Sequence, residues 1–352
     1  MGRLLGIFGL LAVASLPPSG GSSFGLAGQE VPVPLFTSTE PLVATLAADL
    51  AALRRDRNAS PDRPGTLTLH LGGMDHAISV SVRTRGSFRL DPAHCSFPPL
   101  RIEVDPASAV GTAFEGQDDL KLVSSCRPGR SSYDDLVVKE YLVYRSLRAV
   151  SDATFQVRLL DMTFIDASGR TEPESRIAFV IEEDDALAAR LGAVVFELEE
   201  GKHLPTAAFE PLSRMTTAVA QYMVGNPDWS DVAGHNVEIL DRDGVAVAVP
   251  YDFDFSGLVD APYATPPPEY RLDSVRERYY RGWCENPVVT AAVLSRFRAA
   301  REEVLDAWRT ERLLPDAGRA RAVRYLEEFF DDIETDGRAQ RRFLRDCRTP
   351  SG

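Results

Sequence analysis

Apolar and polar positions alternate with a period of two over much of the first half of the chain. TLTLHL (66–71) and HAISVSVRTRG (76–86) flank Gly72-Gly73, and this arrangement predicts a hairpin. PPLRIEVD (98–105) and DDLKLVSS (118–125) predict further strands, as do FQVRLLDMTFID (155–166) and RIAFVIEEDD (176–185), joined by the turn Asp166-Ala-Ser-Gly169. The period changes to that of a helix at DDLVVKEYLVYRSLRAV (134–150), where Leu136, Val137, Tyr141, Tyr144 and Leu147 share a face. An earlier helix is predicted over TSTEPLVATLAADLAALRRDR, from a capping Ser/Thr, Pro41 and apolar residues at helical spacing. Beyond residue 186 helical patterns dominate. FEPLSRMTTAVAQYMVGN (209–226) is amphipathic and stops at Gly225-Asn226. HNVEIL (235–240) and VAVAVPYDF (245–253) form a hairpin around Asp241-Arg-Asp-Gly244, and the chain from about 272 reads as charged helix. This order is α+β, without the strand–helix alternation of a parallel sheet.

Two lobes follow: a loose leader at residues 1–28, a β-rich N-terminal lobe at 29–190, and a mainly helical C-terminal lobe at 191–352 with one central hairpin. The leader reads as a signal peptide, with Arg3, an apolar run from Leu4 to Leu16, and cleavage near Ala14-Ser15 or Ala27. The mature chain is expected to be secreted or periplasmic, with no stable membrane insertion. Its four cysteines, Cys95, Cys126, Cys284 and Cys347, form no Cys-x-x-Cys pair. Of three connectivities, Cys95–Cys126 with Cys284–Cys347 is favoured, because each pair then stays within one half of the chain. The net charge of -13 argues against a nucleic-acid partner.

Chemistry concentrates at Val249-Pro-Tyr-Asp-Phe-Asp-Phe255. Asp252 and Asp254 end a strand, although aspartate is a poor strand former and costly to bury alone. Just before that hairpin runs the polar loop Gly225-Asn-Pro-Asp-Trp-Ser-Asp231. Carboxylates and a carboxamide meeting at one hairpin end suit a hard cation such as Mg²⁺, Mn²⁺ or Ca²⁺. Asp231 and Asn236 have the Asp-x-x-x-x-Asn spacing of a phosphoryl-transfer site, with Asp228 a rival for the first position. Only Lys121, Lys139 and Lys202 are lysine among 39 basic residues, and Lys121 lies on a predicted strand. Glu140 on the following helix is the acid placed to hold it. Arg85 is available for a phosphate or for an acid.

The stretches VRTRGSF (82–88), FPPLRIEV (97–104), FVIEEDD (179–185), GNPDWSDVAGHNVEIL (225–240) and VPYDFDFSG (249–257), in this order, resemble the CotH-like family of secreted atypical kinases. The resemblance covers about residues 75 to 260. It implies a bilobal protein-kinase-like fold, ATP with Mg²⁺ or Mn²⁺, and phosphate transfer to Ser/Thr of an exported protein. It implies Asp228 as the catalytic aspartate, Lys121, Glu140 and Arg85 on the nucleotide side, and Asn236, Asp252 and Asp254 on the metal side. Asp252 is the preferred ligand of the last two. The chain departs from the family where Ser87 follows Arg85-Gly86 without an extended glycine-rich loop, and where His94-Cys95 replaces a lysine-bearing stretch. A noncatalytic surface module holding a structural cation is the competing expectation.

Overall fold

The strand-forming half closes on itself. In the computed structural model, which describes residues 34–349, β1 (Leu42–Ala48) leads through the short α1 (Leu50–Arg55) to the hairpin of β2 (Arg63–Leu71) and β3 (Met74–Thr84). Gly72 and Gly73 turn that hairpin, both with positive φ, as a two-residue turn requires. There follow β4 (Leu100–Val104), α2 (Pro106–Ala109), β5 (Asp119–Ser124), α3 (Ser131–Arg148), β6 (Val157–Asp166) and β7 (Glu174–Ile181). The strands run β1-β2-β3-β4-β5-β7-β6 around a closed barrel. Neighbours are antiparallel except at the seam, where β1 and β6 run parallel from Leu42↔Leu160 to Ala48↔Asp166.

This closure corrects the expected bilobal protein-kinase-like fold with its β-rich N-terminal lobe: a closed, mixed seven-stranded barrel forms instead, beside a helical region. The physical reason lies in β1. Its Leu and Ala content favours helix intrinsically, and a helix was expected there. Leu42, Ala44, Leu46 and Ala48 also have period two, however, and all four are buried. As a strand, the segment hydrogen-bonds on both sides, to β2 and to β6. Barrel closure then leaves no open sheet edge. The described residues fall within one compact unit.

Two cores result. The barrel interior is filled by side chains such as Leu46, Ile78, Leu100, Leu122, Met162 and Val180. On the outer wall, Val123, Leu159, Phe179 and Ile181 turn away from the barrel and join Tyr141 and Tyr144 of α3 and the helical region. β5 and β7 are therefore buried on both faces. Each large side chain so buried contributes roughly 1.5–3 kcal/mol relative to exposure.

The helical region comprises α4 (Asp184–Arg190), β8 (Val194–Val195), α5 (Pro211–Val224), β9 (Val237–Arg242), β10 (Val245–Pro250), α6 (Pro287–Ala299), α7 (Arg301–Arg309), α8 (Asp316–Ile333) and α9 (Asp336–Phe343). The expected hairpin is β9–β10, and β8 adds a third strand on the β9 side. Gly225 caps α5 with φ 67°, and a Cβ there would meet the Tyr325 hydroxyl at 2.0 Å. Regular helix resumes only at Pro287, not at about 272, because three consecutive prolines at 266–268 and scattered aromatics interrupt the intervening chain. Both favoured disulfides form, Cys95–Cys126 and Cys284–Cys347. Among the described residues no helix is long and apolar enough to cross a membrane. The expected signal peptide lies outside the described residues.

Candidate functional site

The β9–β10 hairpin ends where the outer barrel wall meets the helical region. Asn236, just before β9, and Asp252, just after β10, both adopt left-handed backbone (φ 52° and 58°). Such conformations are strained for non-glycine residues, and they persist where surrounding structure enforces them. The Tyr251 N–H donates to the Asn236 carbonyl at 3.1 Å, and the Asp252 N–H donates to the Tyr144 hydroxyl of α3 at 3.1 Å. The hairpin end is thereby fixed to α3.

A cavity of about 20 Å³ opens between Lys121 and Ile181 of the wall, Glu140 and Tyr144 of α3, and Tyr251 and Asp252 of the hairpin end, with Arg85 also lining it. It has room for about one water-sized occupant. Lys121, Arg85, Glu140 and Asp252 are thus brought together. The Lys121–Glu140 pair is not made, however. Lys121 Nζ reaches the two carboxylate oxygens of Asp184, at 2.6 and 2.9 Å, in the first turn of α4. Its ammonium also lies 5.3 Å from the Phe155 ring centroid and 5.4 Å from that of Tyr251. Glu238 on β9 is a second acid near it, pushed up to about 7 by burial first and by Asp184 second, with Lys121 opposing. Sequence reasoning missed Asp184 as the partner. Its signal was the acidic run closing FVIEEDD, which puts a carboxylate at a helix start directly after a wall strand.

Glu140 is 3% exposed. Burial pushes its carboxyl up to about 8, with Arg89 and Arg85 opposing and Asp254 and Asp252 reinforcing. It is therefore largely a neutral acid at pH 7. Asp254, 5% exposed, is pushed up to about 6 by burial, with Arg89 opposing. Arg89 was absent from the predicted set. It comes from a short helical turn after β3 and lies between the two aspartates, 3.6 Å from Asp252 Oδ1 and 3.6 Å from Asp254 Oδ2. The Tyr263 hydroxyl donates to Asp254 at 3.1 Å.

Asp228 lies on the loop after α5. Its N–H donates to Asn226 Oδ1 at 3.0 Å, and the Asn236 amide donates to its carbonyl at 2.7 Å. His235 Nε2 is 2.8 Å from Asp228 Oδ1, which holds the Asp228 carboxyl below its usual range and raises His235. His235, which has no evident partner in sequence, therefore pairs with Asp228. Asp228 and its rival Asp231 are oriented differently. Asp231 is fully buried and accepts from the Val232 N–H and from Trp283 Nε1, so it faces the interior.

Among the described residues no three His, Cys, Asp or Glu side chains cluster as a metal site. Mg²⁺ needs only one or two protein carboxylates when substrate phosphates and water complete its shell. Asp252, Asp254 and the Asn236 amide oxygen are oxygen donors of that hard kind, but Arg89 lies between the two aspartates and the Asn236 amide group donates to the Asp228 carbonyl. No protein-family model matches the chain, and no curated protein matches it.

Proposed function

We propose that this cleft transfers the γ-phosphate of ATP to Ser/Thr hydroxyls of an exported protein. The observation that carries the reading is the convergence of Lys121 and Arg85 with Asp252 on one small cavity. Lys121 and Arg85 would donate to phosphate oxygens, offsetting charge on the transferring group. Asn236, Asp252 and Asp254 would hold Mg²⁺ or Mn²⁺, which when bound neutralises the phosphates. Asp228, about one-third exposed, would accept the hydrogen bond of the acceptor hydroxyl and orient it. Neutral Glu140 would keep the floor of the cavity free of a second net negative charge. The cavity admits a phosphate oxygen, and the nucleoside would lie outside it. The reading rests on the chemistry of these side chains and on the order of motifs shared with the CotH-like family, not on a protein-kinase-like fold. Two disulfides suit an oxidising compartment and hence an exported acceptor.

The test is incubation with γ-labelled ATP and Mg²⁺ or Mn²⁺, in the presence of exported proteins from the same source. Label should enter the chain or an acceptor, and Asp228→Ala should abolish it. A second reading is favoured by Arg89, which already counters Asp252 and Asp254: a noncatalytic surface module with a structural cation. Thermal stabilisation by Ca²⁺ without any response to ATP and Mg²⁺ would select it.

A further inference from the structure

Asp231 places its carboxyl group in a fully buried position three residues beyond Asp228. What surrounds it comes from the far end of the chain. Trp283 Nε1 donates to Asp231 Oδ1 at 3.2 Å, and Arg348 Nη2 lies 3.7 Å from the same oxygen. The Arg348 guanidinium covers the Trp283 ring at 4.1 Å. Among the described residues, neither Asp231 Oδ2 nor Arg348 Nη2 has a hydrogen-bond partner, so the two side chains meet at ion-pair distance only. Arg348 is held by backbone pairing on both sides: the Cys284 N–H donates to its carbonyl at 2.8 Å, and its N–H donates to the Gly282 carbonyl at 2.9 Å. The Cys284–Cys347 disulfide locks that pairing. From the same strip, Arg281 donates to the carbonyls of Pro227 and Trp229, on either side of Asp228. Within the loop, Ser230 and His235 exchange backbone hydrogen bonds at 2.8 and 2.9 Å.

We infer that Asp231 is a positioning residue, through which the disulfide-locked C-terminal strip of Trp283 and Arg348 holds the Asp228 loop in place. The inference rests on the proposed role of Asp228, but the clamp is a physical arrangement that exists without substrate. An isolated buried carboxylate is costly. With Trp283 and Arg348 in place, Asp231 has a reason to stay inside, and the loop has one register. If the strip is released, Asp231 must turn outward, carrying Asp228 with it.

The test is amide hydrogen exchange of the full chain, read on peptides covering residues 226–236, in Arg348→Gln and in the double variant Cys284→Ser/Cys347→Ser. Exchange there should accelerate severalfold, the size of losing one ion pair at 3.7 Å, while barrel peptides keep their protection. Cys95→Ser/Cys126→Ser is the control and should leave the loop unchanged. Should the double variant fail to fold, Arg348→Gln keeps the disulfide and carries the same test. Unchanged exchange at 226–236 in the folded variants overturns the inference, and so does uniform acceleration across the chain. In the phosphoryl-transfer assay, Arg348→Gln should lower kcat with little change in KM for ATP. Absence of any transfer together with faster loop exchange would count against the proposed function and leave the clamp standing.

Discussion

Replacing Arg89 by Met tests the electrostatics of the site directly. The Arg89 side chain is 12% exposed and its partner Asp254 is 7% exposed, so their pairing is hardly screened. Removing one member of a buried pair costs about 3–5 kcal/mol. The separation of 3.6 Å is too long for a hydrogen bond, which places the loss at the lower end, about 3 kcal/mol. Asp252, 39% exposed, adds little because solvent screens it. For a chain of 352 residues the unfolding entropy is about 0.7 kcal/mol/K, so the expected drop in Tm is about 4 °C at pH 8. At pH 5 the drop should shrink. Asp254 and Glu140, held up to about 6 and about 8, are by then largely protonated in the folded state and ask less of Arg89. The same variant vacates the space between the two carboxylates. Mg²⁺ or Mn²⁺ at a hundred times its Kd would restore about 2.7 kcal/mol, or about 4 °C. Scanning calorimetry at the two pH values, with and without cation, reads all of this. An Arg89→Met chain with unchanged Tm at pH 8, or with the same loss at both pH values, would refute the buried pairing. A loss that no divalent cation reverses beyond its effect on the unsubstituted chain would refute a cation site at Asp252 and Asp254.

Glu140→Gln should flatten the pH dependence of stability. The folded carboxyl titrates at about 8 against 4.5 when unperturbed, so its stabilising contribution is full below 4.5 and is lost as pH rises toward 8; the variant should gain Tm over the unsubstituted chain at pH 8 and not at pH 4.5. Lys121→Met should abolish the thermal response to ATP and Mg²⁺, whereas Lys202→Met, an exposed position, should leave it intact. Removing Cys95–Cys126, which closes a 31-residue separation, should cost about 3–4 kcal/mol in denaturant unfolding, and a loss under 1 kcal/mol would show that the neighbouring barrel wall needs no covalent tie.

The parts of the site legible in sequence were those carried by local signals. Glycine and asparagine stop α5, a four-residue turn sets the β9–β10 register, and strand alternation exposes Lys121 on the outer face of β5. Asp252 and Asp254 drew notice because aspartate at a strand end defies propensity. The parts that escaped are long-range. Lys121 finds Asp184, 63 residues away, and no local pattern chooses between that acid and Glu140. Arg89 enters from a turn after β3, where arginine is so common in this chain that one more carried no signal. β1 reads as helix because alanine and leucine favour helix alone, and pairing with β2 on one side and with β6, from Leu42↔Leu160 to Ala48↔Asp166, on the other makes it a strand. β8, two residues long, has no period to detect.

The same division explains how a motif order could point to a candidate site and still misjudge the fold. Motifs report what adjoins a hairpin end; they carry nothing about how a sheet closes. Here closure determines what can move. The wall bearing Lys121 is packed on both faces, inside by the barrel core and outside by α3. The Asp252 side is held by the Tyr144 hydroxyl. The turn bearing Arg89 follows Gly86 at φ 84°, and its Phe88, 36% exposed, packs on the rings of His94, Phe255 and Tyr263. On the proposed reading, a cation held by Asp252 and Asp254 would have to displace Arg89 from between them. Cation binding and release of the acidic pair would then be one movement. Arg89→Met should weaken the dependence of ATP binding on that movement, and so raise ATP affinity in the presence of Mg²⁺ even as it lowers Tm. Calorimetric titration showing weaker binding in the variant would place the cation elsewhere.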